Sequence, residues 1–276
     1  MSQLPLRVLV KGASTVNWTS WMSGPRTDFI FPRVIEEQLL ADDRPCHVQT
    51  ISMTSEKTST ILSTWQREVL NFSPDVIVLL YGHYETIHLF LPRWLERHAN
   101  SLKARPRWWS HLYRQKVLRP LWMVLAKLQA RADRLLDPTI RRNRPKHVAA
   151  DLRAYIDHVQ QVGSPLVFCL ELLPPTERYQ GWFPGMEARM RVMNQSIRAM
   201  VAQVGRSNVR YLEVRPFIDA VAGGDPEVAT PDGFHYSPAM HRAVGEALAA
   251  EIKAWAETQP HLRRCDHLSH VDEGSR

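Results

Sequence analysis

The chain alternates between short apolar runs and longer stretches with helical spacing. Leu6 to Val10 is an apolar run that predicts a first buried strand. Pro32 to Ala41 carries Val34, Ile35, Leu39 and Leu40 at helical spacing, and His47 to Met53 is short and bounded like a strand. Ser59 to Asn71 sets Ile61, Leu62, Trp65, Val69 and Leu70 on one helical stripe, closed by Ser73-Pro74-Asp75. Val76 to Leu80 is apolar throughout, as a parallel strand covered on both faces should be. After a long interruption the alternation resumes. A helix is predicted over His147 to Val162, a strand over Leu166 to Leu172, and a helix over Met186 to Val204. A strand over Val209 to Val214 and a last helix over Pro238 to Ala256 follow.

Five strands alternating with helices predict an α/β fold, a three-layer α/β/α arrangement around a parallel sheet. In such sheets ligands sit outside the carboxyl ends of the strands, so chemistry is sought there. The expected organisation is a single domain over 1–258, interrupted by a helical insertion over 92–146, with a polar tail over 259–276.

Composition changes this picture at one place. The net charge is +7, yet Arg93 to Lys146 alone holds fifteen Lys and Arg against three acids, so the remainder is net acidic. The same segment carries Trp94, Trp108, Trp109, Tyr113 and Trp122. Leu118, Leu121, Val124, Leu125 and Leu128 form a helical stripe there, with Arg119, Lys127, Arg131 and Arg134 on or beside the other face. Basic residues flanking Trp and Leu suit an anionic membrane surface; the plainer alternative is a helical lid packed on the core with an arginine-rich outer face. No nucleic-acid recognition motif accompanies the charge, and arginines holding an anionic substrate are a further reading. Because the insertion follows the third strand, Trp108, Trp109, Trp122 and His83 are candidate substrate or lid residues.

No run of eighteen apolar residues occurs, and the first ten residues lack the features of a signal peptide. A cytoplasmic protein is expected, with a peripheral place at the inner membrane face as an alternative. Three cysteines, Cys46, Cys169 and Cys265, show no metal or redox spacing; Cys169 reads as a small core residue. His83, Glu85 and His88 do not have the His-Glu-x-x-His spacing of a zinc site, so no metal is expected, and no cofactor motif appears. Lys11 and Arg26 are candidate partners for Glu85.

Three motifs fall where chemistry is expected: Gly12-Ala13-Ser14 after strand one, Gly82-His83-Tyr84-Glu85 after strand three, and Asp232-Gly233-Phe234-His235 before the last helix. A serine hydroxyl is a weak nucleophile and needs a base, itself held by an orienting group. Asp232 and His235 lie three residues apart, so one turn can bring the carboxylate to the imidazole while the imidazole takes the Ser14 proton. The glycine at 12 is expected to let the backbone turn sharply.

This set resembles the SGNH/GDSL hydrolase family. Gly12-Ala13-Ser14 matches its first block, Asp232 and His235 its last, and Ser237-Pro238-Ala239-Met240-His241 the start of the helix that follows. The resemblance covers 6–91 and 147–257, and it implies a flavodoxin-like sheet and a serine esterase or acyltransferase with the triad Ser14, Asp232 and His235. Gly-x-Ser-x-Gly of α/β-hydrolases is not matched, because Val16 stands at the second glycine. The resemblance also implies an oxyanion hole built from Ser14 and the second and third blocks. Here those blocks give Glu56, acting through its N–H, and Gly82 with Tyr84 in place of the usual Asn. One lost donor costs about 3–4 kcal/mol of transition-state stabilisation; His83 or an N–H near Gly82 is the alternative donor. The readings carried forward are hydrolysis of an acyl ester, lipid- or carbohydrate-linked, through an acyl-Ser14 intermediate; acyl transfer to a glycan or lipid hydroxyl; and a catalytically weak membrane-associated binding protein.

Overall fold

The wholly apolar runs become the middle of a sheet. In the computed structural model, which describes residues 4–18, 30–53, 56–87, 98, 109–135, 143–182 and 185–262, five strands pair in parallel in the order β2-β1-β3-β4-β5. They are β1 (Leu6–Gly12), β2 (Cys46–Ser52), β3 (Val76–Leu80), β4 (Leu166–Leu170) and β5 (Val209–Leu212). Every residue of β3 and β4 is buried, whereas β2, at one edge, is only half-buried. The register sets Gly12 beside Ser52 on one side and Leu80 on the other. The chain therefore leaves β1 in one direction and β3 in the other, which opens a crevice at their carboxyl ends.

Helices cover both faces. On one, Phe31–Ala41 packs against Pro238–Thr258, where Gly245 lets the two backbones close: a Cβ there would sit 2.5 Å from Val34 Cβ. On the other, Asn143–Val162 packs between Thr58–Trp65 and Met186–Val204. The last of these buries Met186, Met190, Met193, Ile197 and Met200, and ends at Gly205 in the left-handed conformation. The three-layer α/β/α expectation is met. Cys169 is buried in β4, as expected.

The boundaries differ where side chains capture backbone groups. β5 stops at Leu212 rather than Val214, because Glu171 Oε2 accepts from the N–H groups of Val214 and Arg215, both at 2.9 Å, and starts the helix Arg215–Ala222. β4 stops at Leu170 because Asn194 takes both backbone groups of Leu172, at 2.9 and 2.8 Å. The helix expected from His147 begins at Asn143 and so takes in the last residues of the insertion. Three short helices, His83–Ile87, Glu177–Trp182 and Pro226–Ala229, carry no periodicity long enough to have been read.

Within the insertion, Ser110–Tyr113, a π turn Arg114–Leu118 and the helix Arg119–Leu135 are described. Leu118, with Tyr113 and Leu125 against it, makes a small apolar cluster separate from the main core. No helix among the described residues is long and apolar enough to cross a membrane.

Candidate active site

Gly12 is required by crowding rather than by turning. Its φ lies outside the left-handed region, and a Cβ on it would meet the Leu80 carbonyl oxygen at 2.6 Å and Val16 Cγ2 at 2.4 Å. The missing side chain lets the end of β1 lie against the end of β3. The chain then passes through Ala13 into the helical turn Ser14–Asn17. Ser14 thus sits at the crevice, largely buried, with its side chain toward the loop before the last helix.

That loop is tightly specified. Gly233 has φ +85°, and Tyr179 and Thr176 press so closely that a Cβ would lie 2.2 Å from the Tyr179 ring. Asp232 Oδ1 accepts from the N–H groups of Phe234 (3.0 Å) and His235 (2.8 Å). Its Oδ2 faces His235 Nδ1 at 2.9 Å, and His235 Nε2 faces Ser14 Oγ at 3.0 Å. Burial pushes the Asp232 carboxyl up, but hydrogen bonds from the His235 ring and from two N–H groups outweigh it, so it stays below its ordinary value. An ionised Asp232 accepts a hydrogen bond from Nδ1–H, which leaves Nε2 free to accept from the Ser14 hydroxyl. Ser14, His235 and Asp232, singled out from sequence, therefore form one continuous hydrogen-bonded chain.

The following helix braces this arrangement. Ser237 Oγ caps it by accepting from Met240 N–H at 3.3 Å. His241, fully buried, accepts from Phe31 N–H at Nδ1 (3.1 Å) and donates from Nε2 to the Trp18 carbonyl (3.2 Å). Burial drives its pKa down to about 4, so it is neutral at physiological pH. The Trp18 side chain, half exposed, lies with its ring 5.7 Å from that of His235, at the open side of the site.

The third-block residues divide. Gly82 has φ +118° and is packed by Leu172 and Met193, within 2.9 and 3.1 Å of where a Cβ would be, so glycine is required there on both counts. His83 is buried, and the rings of His83 and His235 flank the same Phe234 ring, at 5.0 and 5.4 Å. Burial, with the nearby His235 as a smaller cause, lowers the His83 pKa to about 3. Its Nδ1 is buried with no hydrogen-bond partner among the described residues. Tyr84, by contrast, has its ring under the Lys57 ammonium, 5.4 Å away.

Two expectations are corrected. The Glu56 N–H is not presented to the site, because it donates to the Met53 carbonyl at 3.1 Å. The Glu56 side chain is buried, which raises its pKa, and it lies near Lys11 and Tyr81. Lys11 does not serve Glu85: its fully buried ammonium goes to Glu68, with Thr64 Oγ1 at 3.4 Å and the Tyr155 ring beneath. Glu85 instead accepts from Thr58 N–H at 2.9 Å and Thr58 Oγ1 at 3.2 Å, and burial raises its pKa. This cluster behind the crevice was not foreseen; a lysine ending an apolar strand was the one available signal. Among the lid candidates, Trp109 is part-exposed and edge-on to Tyr113, Trp122 falls on the helix Arg119–Leu135, and Trp108 lies outside the described residues, as does Arg26, the other partner expected for Glu85.

The fold has relatives among solved structures, and the sequence matches a family model. A lipase/acylhydrolase from Enterococcus faecalis matches with a TM-score of 0.57 at 13% identity, over 91% of this chain and 96% of its own. A catalytic mutant of an acetylxylan esterase from Geobacillus stearothermophilus matches with 0.56 at 12% identity, over 91% and 96%. A carbohydrate acetylesterase from Sinorhizobium meliloti matches with 0.56 at 14%, over 91% and 99%. At such identities these likenesses speak to the fold. No curated protein matches the sequence. The family model for the GDSL-like lipase/acylhydrolase family matches residues 14–243, a span that opens on Ser14 and takes in Asp232 and His235. The chain belongs to the GDSL-like lipase/acylhydrolase family.

Proposed function

We propose that the protein hydrolyses acyl esters through an acyl-Ser14 intermediate. The observation that carries this is the hydrogen-bonded chain Ser14 Oγ–His235 Nε2 at 3.0 Å and His235 Nδ1–Asp232 Oδ2 at 2.9 Å. Ser14 Oγ attacks the ester carbonyl carbon while His235 Nε2 takes its proton. Asp232 holds Nδ1–H and stabilises the imidazolium. The tetrahedral intermediate collapses, the C–O bond to the alcohol breaks, and His235 gives the alcohol its proton. Water then attacks the acyl-enzyme, with His235 again taking and returning the proton.

The negative oxygen of the intermediate needs donors. In this reading the Ser14 N–H is one. His83 is the second: its ring is neutral and buried, its Nδ1 has no hydrogen-bond partner among the described residues, and it shares the Phe234 ring with His235. Tyr84 is not needed, since its ring is engaged by Lys57. An acyl group on an alcohol of carbohydrate or lipid type is the substrate class, supported by the names of the structural relatives, an acetylxylan esterase and a carbohydrate acetylesterase among them.

The test uses short- and long-chain p-nitrophenyl esters and a fluorophosphonate probe. Wild type is expected to turn over and label, while Ser14→Ala does neither, a loss of roughly 10⁴-fold or more. Adding glycan or lipid alcohols and looking for acylated product separates hydrolysis from acyl transfer. Neither labelling nor turnover by wild type would leave the non-catalytic binding reading instead.

A further inference from the structure

We propose that the outer side of the insertion helix docks on an anionic lipid bilayer. The sequence places five aliphatic residues on one stripe, but the structure splits them. Leu118 is buried, and Tyr113 and the partly buried Leu125 pack against it. Leu121, Val124 and Leu128 are exposed, and so is Val117, one turn earlier. The spacing 117, 121, 124, 128 repeats close to the 3.6-residue turn, so the four lie along one strip beside, not on, the inward face. A strip of aliphatic side chains left in water calls for a partner.

The charge on the same helix says which. Lys116, Lys127 and Arg131 are exposed and lie at positions bordering the apolar strip on the side away from Leu118. Fifteen cations against three acids between Arg93 and Lys146 leave few acids to neutralise them. An apolar strip edged by lysine and arginine is the amphipathic form that lies in a membrane interface, its aliphatic side chains in the acyl boundary and its cations among the phosphates. A nucleic acid would use the cations but leave the aliphatic strip wet. A second copy of the chain would bring the same basic border against itself. The bilayer satisfies both features.

The docking does not depend on Ser14 chemistry, so the two readings fail separately. Full-length protein is sedimented with vesicles of phosphatidylcholine alone and of phosphatidylcholine mixed equally with phosphatidylglycerol, at low and high salt. Wild type is expected to bind the mixed vesicles and to lose most binding on neutral ones. Leu121→Ser, Val124→Ser and Leu128→Ser combined should weaken binding at least about tenfold on mixed vesicles. Lys116→Gln, Lys127→Gln and Arg131→Gln combined should weaken it roughly 10²-fold there. Both variants should keep wild-type circular dichroism, p-nitrophenyl acetate turnover and fluorophosphonate labelling. The proposal is overturned if wild type stays in the supernatant with anionic vesicles at low salt, or if both variants bind like wild type. It is equally overturned if wild type is a dimer that the serine variant alone dissociates, since the strip then covers a second copy.

Discussion

Asp232 and His235 come from one turn of chain and are fixed by hydrogen bonds, whereas His83 and Tyr84, on the helix after β3, are fixed by packing. On the first wall each polar atom that matters has a partner: two N–H groups and a ring nitrogen on Asp232, Ser14 on the far side of His235. On the second, His83 is wedged against Phe234 with Nδ1 unpartnered among the described residues, and Tyr84 lies under Lys57. A wall built of hydrogen bonds is set before substrate arrives. A buried polar nitrogen without a partner costs free energy in the resting protein, and the neutral ring, which carries one N–H, can recover it from a negative oxygen brought by the substrate. On the proposed reading the two walls divide the labour: the first generates the nucleophile, and the second receives the charge it creates.

Asp232→Asn strikes the first wall hardest after loss of the serine itself. An amide in that place no longer holds the proton on Nδ1, so kcat on p-nitrophenyl acetate should fall about 10³- to 10⁴-fold with little change in KM. A loss below tenfold would mean that the hydrogen-bonded wall is no more committed than the packed one. His83→Phe tests the second wall. It keeps an aromatic ring against Phe234 while removing both ring nitrogens, so kcat should fall about 10²-fold at nearly constant KM. Thermal stability should hold or rise, because an unpartnered buried nitrogen is removed. Unchanged kcat would make His83 a packing residue.

The same contrast governs what was legible. Asp232 and His235 could be read because their spacing and their contact are both local. The middle strands could be read because Val76–Leu80 and Leu166–Leu170 are apolar throughout, and a chain buried on two faces has no other pattern. Their ends could not, since Glu171 and Asn194 decide them through groups far along the chain. Lys11 and Glu68 pair across more than fifty residues of sequence, so neither advertises the other. Whether position 83 or 84 faces the crevice depends on how the short helix His83–Ile87 is rotated as it leaves Gly82. In the insertion, one helical stripe hides two roles: Leu118 and Leu125 pack into a small cluster, while Leu121, Val124 and Leu128 are exposed.

Both walls rest on histidines that are neutral in the fold, His241 behind the first and His83 in the second, with pKa values near 4 and 3. In the unfolded chain each takes a proton near pH 6.5. Below that the unfolded state binds more protons, so stability is full above about 6.5 and declines as pH falls toward 4. Each should remove about 2 kcal/mol by pH 5. Buried Glu56 and Glu85, whose pKa values are raised, act in the opposite sense, so the His83 share is read as the difference between wild type and His83→Phe in denaturant unfolding at pH 7 and pH 5. His83→Phe should make the fall in stability shallower by about 2 kcal/mol; an unchanged fall would mean that His83 is accessible to protons in the fold, and the second wall would no longer be a dry one.

The smallest effect expected is the most discriminating for the comparison. Tyr84 stands at the position where the family resemblance implies a side-chain donor, and a phenol could in principle serve as one. Tyr84→Phe removes only the hydroxyl and leaves the ring under Lys57. If His83 receives the oxyanion, kcat should change by less than about threefold, since no donor has been lost from the hole. If instead kcat falls about 10²-fold while His83→Phe is silent, the tyrosine moves in when substrate binds, and the second wall is one that substrate reorganises. Measuring both variants on one substrate, with kcat and KM separated, decides between a hole already seated on β3's helix and one assembled on arrival.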